Sequence, residues 1–359
     1  MRIKTSSRRK KRKASRAFKR IVSALPSVPF LKPVLLISVA LCILLIILPY
    51  IITNLTPSDK PEKKLVPEAT FELTETPDTI TVYRTGNNRT ETIDFEDYVK
   101  GVVSCEMPAS FHIEALKAQA VAARTYSLSR VINADKTGNP EAHPQAPVCD
   151  STHCQVYRSV SENKNVKGAS WMESSWPKIE KAADSTRSQL LYYNGELAEQ
   201  ALFHSSSGGR TENCQDVFAS AVPYLVSVES PYEDEATHQN ETNSFTIKEI
   251  SYALKSRYPN IDFGDISTSS IKIISRSTGG RVEKMRIGNG IIEGRNVREA
   301  LKLPSAAFTI DISGDTVSFT SNGSGHGVGM SQYGADGMAK KGYTYRQILN
   351  HYYKGTMVY

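Results

Sequence analysis

Glu114-Ala115-Leu116-Lys117-Ala118-Gln119-Ala120-Val121-Ala122-Ala123-Arg124-Thr125-Tyr126 is the stretch on which the fold class turns. Alanine is the best helix former, so the run predicts a long helix, about His112 to Ile132, whose small side chains let other elements come close. Ser110 stands where it could cap that helix. Leu116, Ala120, Ala123 and Ser127 mark a face for the core. Lys117, Gln119 and Arg124 are polar groups on an apolar helix and need partners, so they are expected to face a cleft.

Outward from this helix the elements come in mixed order. Upstream, Thr79–Tyr83 alternates like a strand, Gly86-Asn87-Asn88 turns, and a second strand ends near Phe95. Asp94 or Glu96 can then start a shorter helix through Tyr98, Val99, Val102 and Val103, which Pro108 ends. Downstream, Gln189–Tyr193, Asn194-Gly195 and Glu196–His204 read as a hairpin. Thr246 and Glu249 form a capping box for a helix to about Tyr258. Ser269–Ser275, Val282–Ile287, Phe308–Ile312 and Thr316–Thr320 read as strands, and Arg295–Leu303 as a helix. No βαβ rhythm appears, so the expected class is α+β, with mixed helices and antiparallel strands around a substrate cleft.

The charge is unevenly placed. Residues 1–32 contain twelve Lys and Arg and no acid, which leaves 32 basic against 37 acidic residues in the rest of the chain. A basic domain would suggest nucleic acid; here the excess belongs to a tail. It runs into the apolar segment Val34–Ile52, just long enough to span a bilayer. The basic flank predicts a cytoplasmic amino terminus. The expected organisation is a basic cytoplasmic tail (1–33), one transmembrane helix (34–52), a Pro/Thr/Lys/Glu-rich linker (53–70) and an extracytoplasmic domain (71–359), at the cell membrane.

Three other places carry chemistry. Glu106 lies among Val102, Val103, Cys105, Met107 and Pro108, neighbours that solvate a charge poorly and would favour a protonated carboxyl. Gly325-His326-Gly327-Val328-Gly329-Met330-Ser331-Gln332-Tyr333-Gly334-Ala335 is too rich in glycine for an element interior; it is expected to feed a helix from Asp336 to Lys341. His143-Pro144-Gln145-Ala146-Pro147-Val148-Cys149-Asp150-Ser151-Thr152-His153-Cys154 gathers thiols and imidazoles, the ligands of a tetrahedral zinc ion. A Cys149–Cys154 disulfide is the alternative.

Val103-Ser104-Cys105-Glu106-Met107-Pro108 with the alanine-rich helix, then Phe203-His204-Ser205-Ser206-Ser207-Gly208-Gly209-Arg210-Thr211-Glu212, then the glycine-rich run continuing to Tyr352-Tyr353-Lys354-Gly355-Thr356, together resemble the stage II sporulation protein D/LytB family, over roughly residues 70–359. The resemblance implies a peptidoglycan lytic transglycosylase. Such an enzyme cuts between N-acetylmuramic acid and N-acetylglucosamine, preferably in strands stripped of stem peptides, and leaves anhydromuramic ends during forespore engulfment. It puts the catalytic acid on Glu106. Tyr333 is assigned a chemical role beside it, and Ser206, Ser207, Gly208, His326 and Gln332 are assigned to the sugar. Lys117, Gln119 and Arg124 join this list from their place on the helix. The resemblance further implies zinc at His143, Cys149, His153 and Cys154, no organic cofactor, and as partners a membrane-anchored amidase and a polytopic membrane protein. A noncatalytic enhancer of a peptidoglycan amidase is the rival reading. Cys105 departs from the pattern, which often has Gly there.

Overall fold

The computed structural model describes residues 69–359 except 219, together with Ser38 and Leu41. The described residues from 69 onward belong to one compact unit. The expected tail and span, apart from Ser38 and Leu41, and the linker up to residue 68 lie outside the described residues. Among the described residues, no helix is long and apolar enough to cross a membrane.

Strands β1 (Thr79–Arg84) and β2 (Arg89–Asp94) form an antiparallel hairpin. Asp94 caps helix α1 (Phe95–Glu106) by accepting the Asp97 N–H. Met107 is already extended ahead of Pro108, so Glu106 is the last residue of the helix. Helix α2 (Ile113–Thr137) is capped by His112, whose Nδ1 accepts the Glu114 N–H at 3.2 Å, and not by Ser110. The Phe111 N–H bonds to the Pro108 carbonyl at 3.0 Å, and this turn uses up the residues before a helix can begin.

Strand β3 (Val148–Cys149) runs parallel beside β1. Helices α3 (Val160–Lys167), α4 (Ala169–Ser174) and α5 (Trp176–Asp184) follow, and α5 packs on α1 and α2. Strands β4 (Leu191–Tyr193) and β5 (Glu196–Leu197) turn through Asn194 and Gly195 with φ of 50° and 86°, as a tight hairpin requires. The second arm is shorter than predicted, because Ala198 and Ala201 turn into the main core. Strand β6 (Phe203–His204) follows, and then the short helix α6 (Cys214–Val217).

A second group of elements has its own core. Strand β7 (Glu241–Thr246) leads through the expected Thr246/Glu249 capping box into α7 (Ile247–Arg257). Strands β8 (Ile271–Arg276), β9 (Val282–Ile287) and β10 (Gly290–Glu293), helix α8 (Gly294–Leu301), and strands β11 (Phe308–Ser313) and β12 (Thr316–Ser321) complete it. Its two antiparallel sheets, β10-β9-β8 and β11-β12-β7, enclose Ile250, Leu254, Phe263, Met285, Phe308 and Phe319.

The chain then returns to the main core. Strand β13 (Met330–Ser331) pairs parallel with β6. Helix α9 (Gln332–Lys340) starts four residues before the predicted Asp336, because the Ser331 hydroxyl accepts the Gly334 N–H and caps it. Helix α10 (Tyr345–Tyr352) and strand β14 (Thr356–Val358) close the fold, with β14 joining the sheet β14-β4-β5. Helix α2 is surrounded by α1, α5, α9 and α10. The class is α+β with mainly antiparallel sheets, as predicted.

Candidate active site

Glu106 stands where two pockets meet. The first, about 350 Å³, is walled by Met107, Pro108, Phe111, Lys167, Gln332 and Tyr333, among others. The second, about 570 Å³, includes Tyr126, Arg130, His153, Cys154, Phe203 and His326. Glu106 lines both, and among the described residues no other carboxyl lines either. One bond holds it: the Val156 N–H donates to Oε1 at 2.7 Å. Burial pushes its pKa up, and that hydrogen bond pulls it partly back.

The bond exists because the segment after the cysteines presses on α1 at Gly101. A Cβ there would lie 2.4 Å from Tyr157 Cε2 and 2.5 Å from the Arg158 carbonyl. Gln155, next to the donor, is pinned to α2 by its Nε2 bond to Ser127 Oγ at 3.0 Å.

The glycine-rich run supplies the facing wall. Tyr333 packs edge-on against Phe111, ring centroids 4.9 Å apart, and its N–H bonds to the Ser205 carbonyl at 3.0 Å. Gln332 lines the same pocket and reaches Gln119 Oε1 from Nε2 at 3.4 Å. His326 lines the second pocket, near His204 and Phe218. Burial, with Arg281 nearby, pushes its pKa down to about 4, so it is neutral at neutral pH.

Other predicted sugar contacts lie elsewhere. Arg124 is fully buried, with Nε and Nη2 each 2.7 Å from a Glu96 carboxylate oxygen; it holds α2 to α1 and does not face the cleft. Lys117 pairs with Glu114 at 2.7 Å over the Tyr345 ring, outside both pockets. Gln119 is fully buried and touches the cleft wall only through Gln332. Ser206, Ser207 and Gly208 line neither pocket; Ser205 does. Their turn is wrapped around the buried Glu233, which accepts the Ser207 and Gly208 N–H groups at 2.9 and 2.8 Å. Glu233 also accepts the Ser230 and Ser331 hydroxyls, tying this turn to the cap of α9.

Sequence reasoning missed Glu233, Arg130, Lys167 and Phe203. Glu233-Asp234-Glu235 resembles an exposed acidic run, and nothing local singles out its first member. Arg130 lies just beyond the alanine-rich stretch, and its position on the cleft side of α2 was the available signal.

The Cys/His cluster fits zinc. The ligand atoms of His143, Cys149, His153 and Cys154 all lie within 4.8 Å of one another. His143 Nε2 is 3.2 Å from His153 Nδ1 and 3.3 Å from Cys154 Sγ; His153 Nδ1 is 3.6 and 4.0 Å from the Cys154 and Cys149 sulfurs. Ligand bonds of about 2.0–2.3 Å give a tetrahedron edges of roughly 3.3–3.8 Å, close to these separations. His143 Nδ1 bonds to the Ala146 carbonyl at 2.8 Å, the outer support that orients a ligating imidazole. Both cysteines are free thiols, so the disulfide alternative is not adopted. The contact from Cys154 pulls the Cys149 thiol down to about 4, and the contact from Cys149, with burial, pushes the Cys154 thiol up.

The placement of Glu106, the cluster and the glycine-rich wall can be set beside known proteins. A family model described as stage II sporulation protein matches residues 83–193, and one described as a domain of unknown function matches residues 213–329. The stage II sporulation protein D of Bacillus subtilis (strain 168) is 41% identical over 286 residues, 80% of each chain. That of Bacillus amyloliquefaciens is 36% identical over 338 residues, 90% of this chain and 95% of its own. A Bacillus subtilis protein named amidase enhancer is 32% identical over 306 residues, 72% of this chain but 40% of its own. Identity at this level covers most of this chain and most of both sporulation relatives: the chain belongs to the stage II sporulation protein D family.

Proposed function

We propose that this chain is a lytic transglycosylase cutting peptidoglycan glycan strands between N-acetylmuramic acid and N-acetylglucosamine, preferably strands stripped of stem peptides. The observation that carries the reading is the solitary carboxyl: Glu106 is desolvated, held by one N–H, and among the described residues is the only acid in the two pockets it joins. Glycosidases that use water work with two carboxyls a set distance apart. A transglycosylase needs one group acting twice. Protonated Glu106 gives its proton to the glycosidic oxygen as the bond to the muramic C1 breaks. The muramic 6-hydroxyl then attacks C1, and the Glu106 carboxylate takes that hydroxyl's proton. The result is a 1,6-anhydro end and a free N-acetylglucosamine 4-hydroxyl, with Glu106 reprotonated.

Tyr333 and Gln332 on one side and His326 on the other supply polar groups for the sugars. Zinc at His143, Cys149, His153 and Cys154 would tie together the loop that leads to Val156. Family membership supports a cell-wall role in sporulation, and hence engulfment with an amidase and a polytopic membrane protein as partners. The tail and apolar segment support an anchor with the catalytic domain outside the membrane; protease added to intact protoplasts should then digest residues 71–359.

The test is product analysis of digested, peptide-stripped wall. Wild type yields anhydromuramic ends and Glu106→Gln, with unchanged thermal stability, yields none. The relative named amidase enhancer favours a second reading, in which the chain binds wall and stimulates an amidase. Stimulation without anhydromuramic ends would select it.

A further inference from the structure

Helix α2 carries two arginines of opposite kinds. Arg124 is fully paired with Glu96. Arg130, on the same helix, lines the second pocket with Glu106. Its guanidinium lies over the Tyr126 ring at 4.7 Å, and one terminal nitrogen is 3.4 Å from Gln200 Oε1. Its Nε is buried without a partner. Among the described residues it forms no ion pair with a carboxylate.

The other groups around it do not supply a counter-charge. His326 is neutral, and Glu106 must carry its proton to act. Cys154 lies close enough to interact with Arg130, but with zinc bound its thiolate and that of Cys149 would be balanced by the divalent ion. A guanidinium set on an aromatic face in the same pocket as an acid/base, with donors to spare, suits a planar anion bound through two parallel N–H bonds.

We propose that Arg130 binds the lactyl carboxylate of a muramic acid whose stem peptide has been removed. This rests on the transglycosylase reading and gives its substrate preference a physical cause. With the peptide attached, the lactyl group is a neutral amide. Amidase hydrolysis converts it to a carboxylate, so the charge appears only on stripped strands and in the ring that reacts. Arg130 is then a specificity residue.

The experiment uses peptide-stripped strands with free lactyl carboxylates and the same strands with those groups converted to methylamides. Wild type should favour the carboxylate form by about tenfold or more in kcat/KM, the scale of one charge-assisted hydrogen bond. Arg130→Met should lose that preference through a higher KM for carboxylate strands, with methylamide strands cut as before. Arg130→Lys should keep only part of it. A preference that survives unchanged in either variant, or an equal loss on both substrates, overturns the assignment. Zinc content and thermal midpoint are recorded for each variant; if Arg130→Met falls short in either, Arg130→Lys decides.

A binding arm separates this failure from that of the catalytic reading. Glu106→Gln should bind carboxylate strands more tightly than methylamide strands, and Glu106→Gln with Arg130→Met should bind both alike. Cleavage by Glu106→Gln would sink the catalytic reading and leave the carboxylate preference standing. Equal binding of the two strands by Glu106→Gln would sink only the role of Arg130.

Discussion

At Arg124 and Glu106 the same physics gives opposite outcomes. Both groups are withdrawn from water. Arg124 meets a carboxylate through two bonds, so its work is structural; Glu106 meets one N–H, too little to offset the burial that disfavours its charge. Removing one member of a buried pair leaves the other charge stranded, so Arg124→Met should cost about 3–5 kcal/mol in urea unfolding. For Glu106 the raised pKa means the proton is held longer. Turnover that needs this proton should fall as pH rises through the raised value, and a rate profile in which that alkaline limb follows Glu106 would show it.

His326 supplies a stability prediction with the other sign. Its pKa drops from 6.5 unfolded to about 4 folded, so between those values the unfolded chain binds a proton that the folded one does not. Its contribution is fully present above pH 6.5 and is lost as pH falls toward 4, at up to about 1.4 kcal/mol per pH unit. The buried His204 shifts the same way. His326→Gln should therefore shrink, without abolishing, the difference between unfolding free energies measured at pH 7 and pH 4.5.

Among the elements, what could be read from the chain was whatever local chemistry decides. The alanine-rich helix, the Thr246/Glu249 box and the Asn194-Gly195 turn all occur where their residue types place them. The cap of α2 and the start of α9 moved because a hydrogen bond elsewhere, the Phe111 turn or the Ser331 hydroxyl, took precedence. The cleft itself was half legible. Glu106, Gln332, Tyr333 and His326 came from motifs, whereas the polar residues of α2 were misjudged, because a helix packed on all sides can satisfy a polar group inward as readily as in a cleft.

The contact at Gly101 is the element-scale feature most open to test. Gly101→Ala puts a methyl into Tyr157 and the Arg158 carbonyl, so the 155–158 segment must retreat and take the Val156 N–H from Glu106. Activity should fall more than tenfold while the far-ultraviolet circular dichroism stays native. In the neighbouring loop, Cys149→Ser should reduce bound zinc from about one equivalent toward zero and lower the thermal midpoint. Zinc content measured on both variants tells the two effects apart, since Gly101→Ala leaves every cluster ligand in place.

Across the whole molecule, the core within β7–β12 and the main core around α2 have to work as one structure. The core within β7–β12 stands in the chain between the turn that wraps Glu233 and the glycine-rich wall, so its integrity reaches the cleft through few links. Arg281, just ahead of β9, is one of them: it is buried, 3.3 Å from Glu212 Oε1, and donates to the Ser207 carbonyl at 3.0 Å. Gly327 of the glycine-rich run packs directly over its guanidinium, where a Cβ would lie 2.2 Å from Cζ. One side chain thus joins the second core to both motif segments. Arg281→Met strands the buried Glu212 carboxylate and removes the joint together, at a cost of about 3–5 kcal/mol. Scanning calorimetry should show one cooperative transition in the wild type and two in the variant. The transition of lower midpoint should belong to the β7–β12 core, and Phe319→Ala, a cavity deep inside that core, should lower it further and leave the other in place. A single transition in Arg281→Met would mean that the two cores are coupled by something other than this arginine.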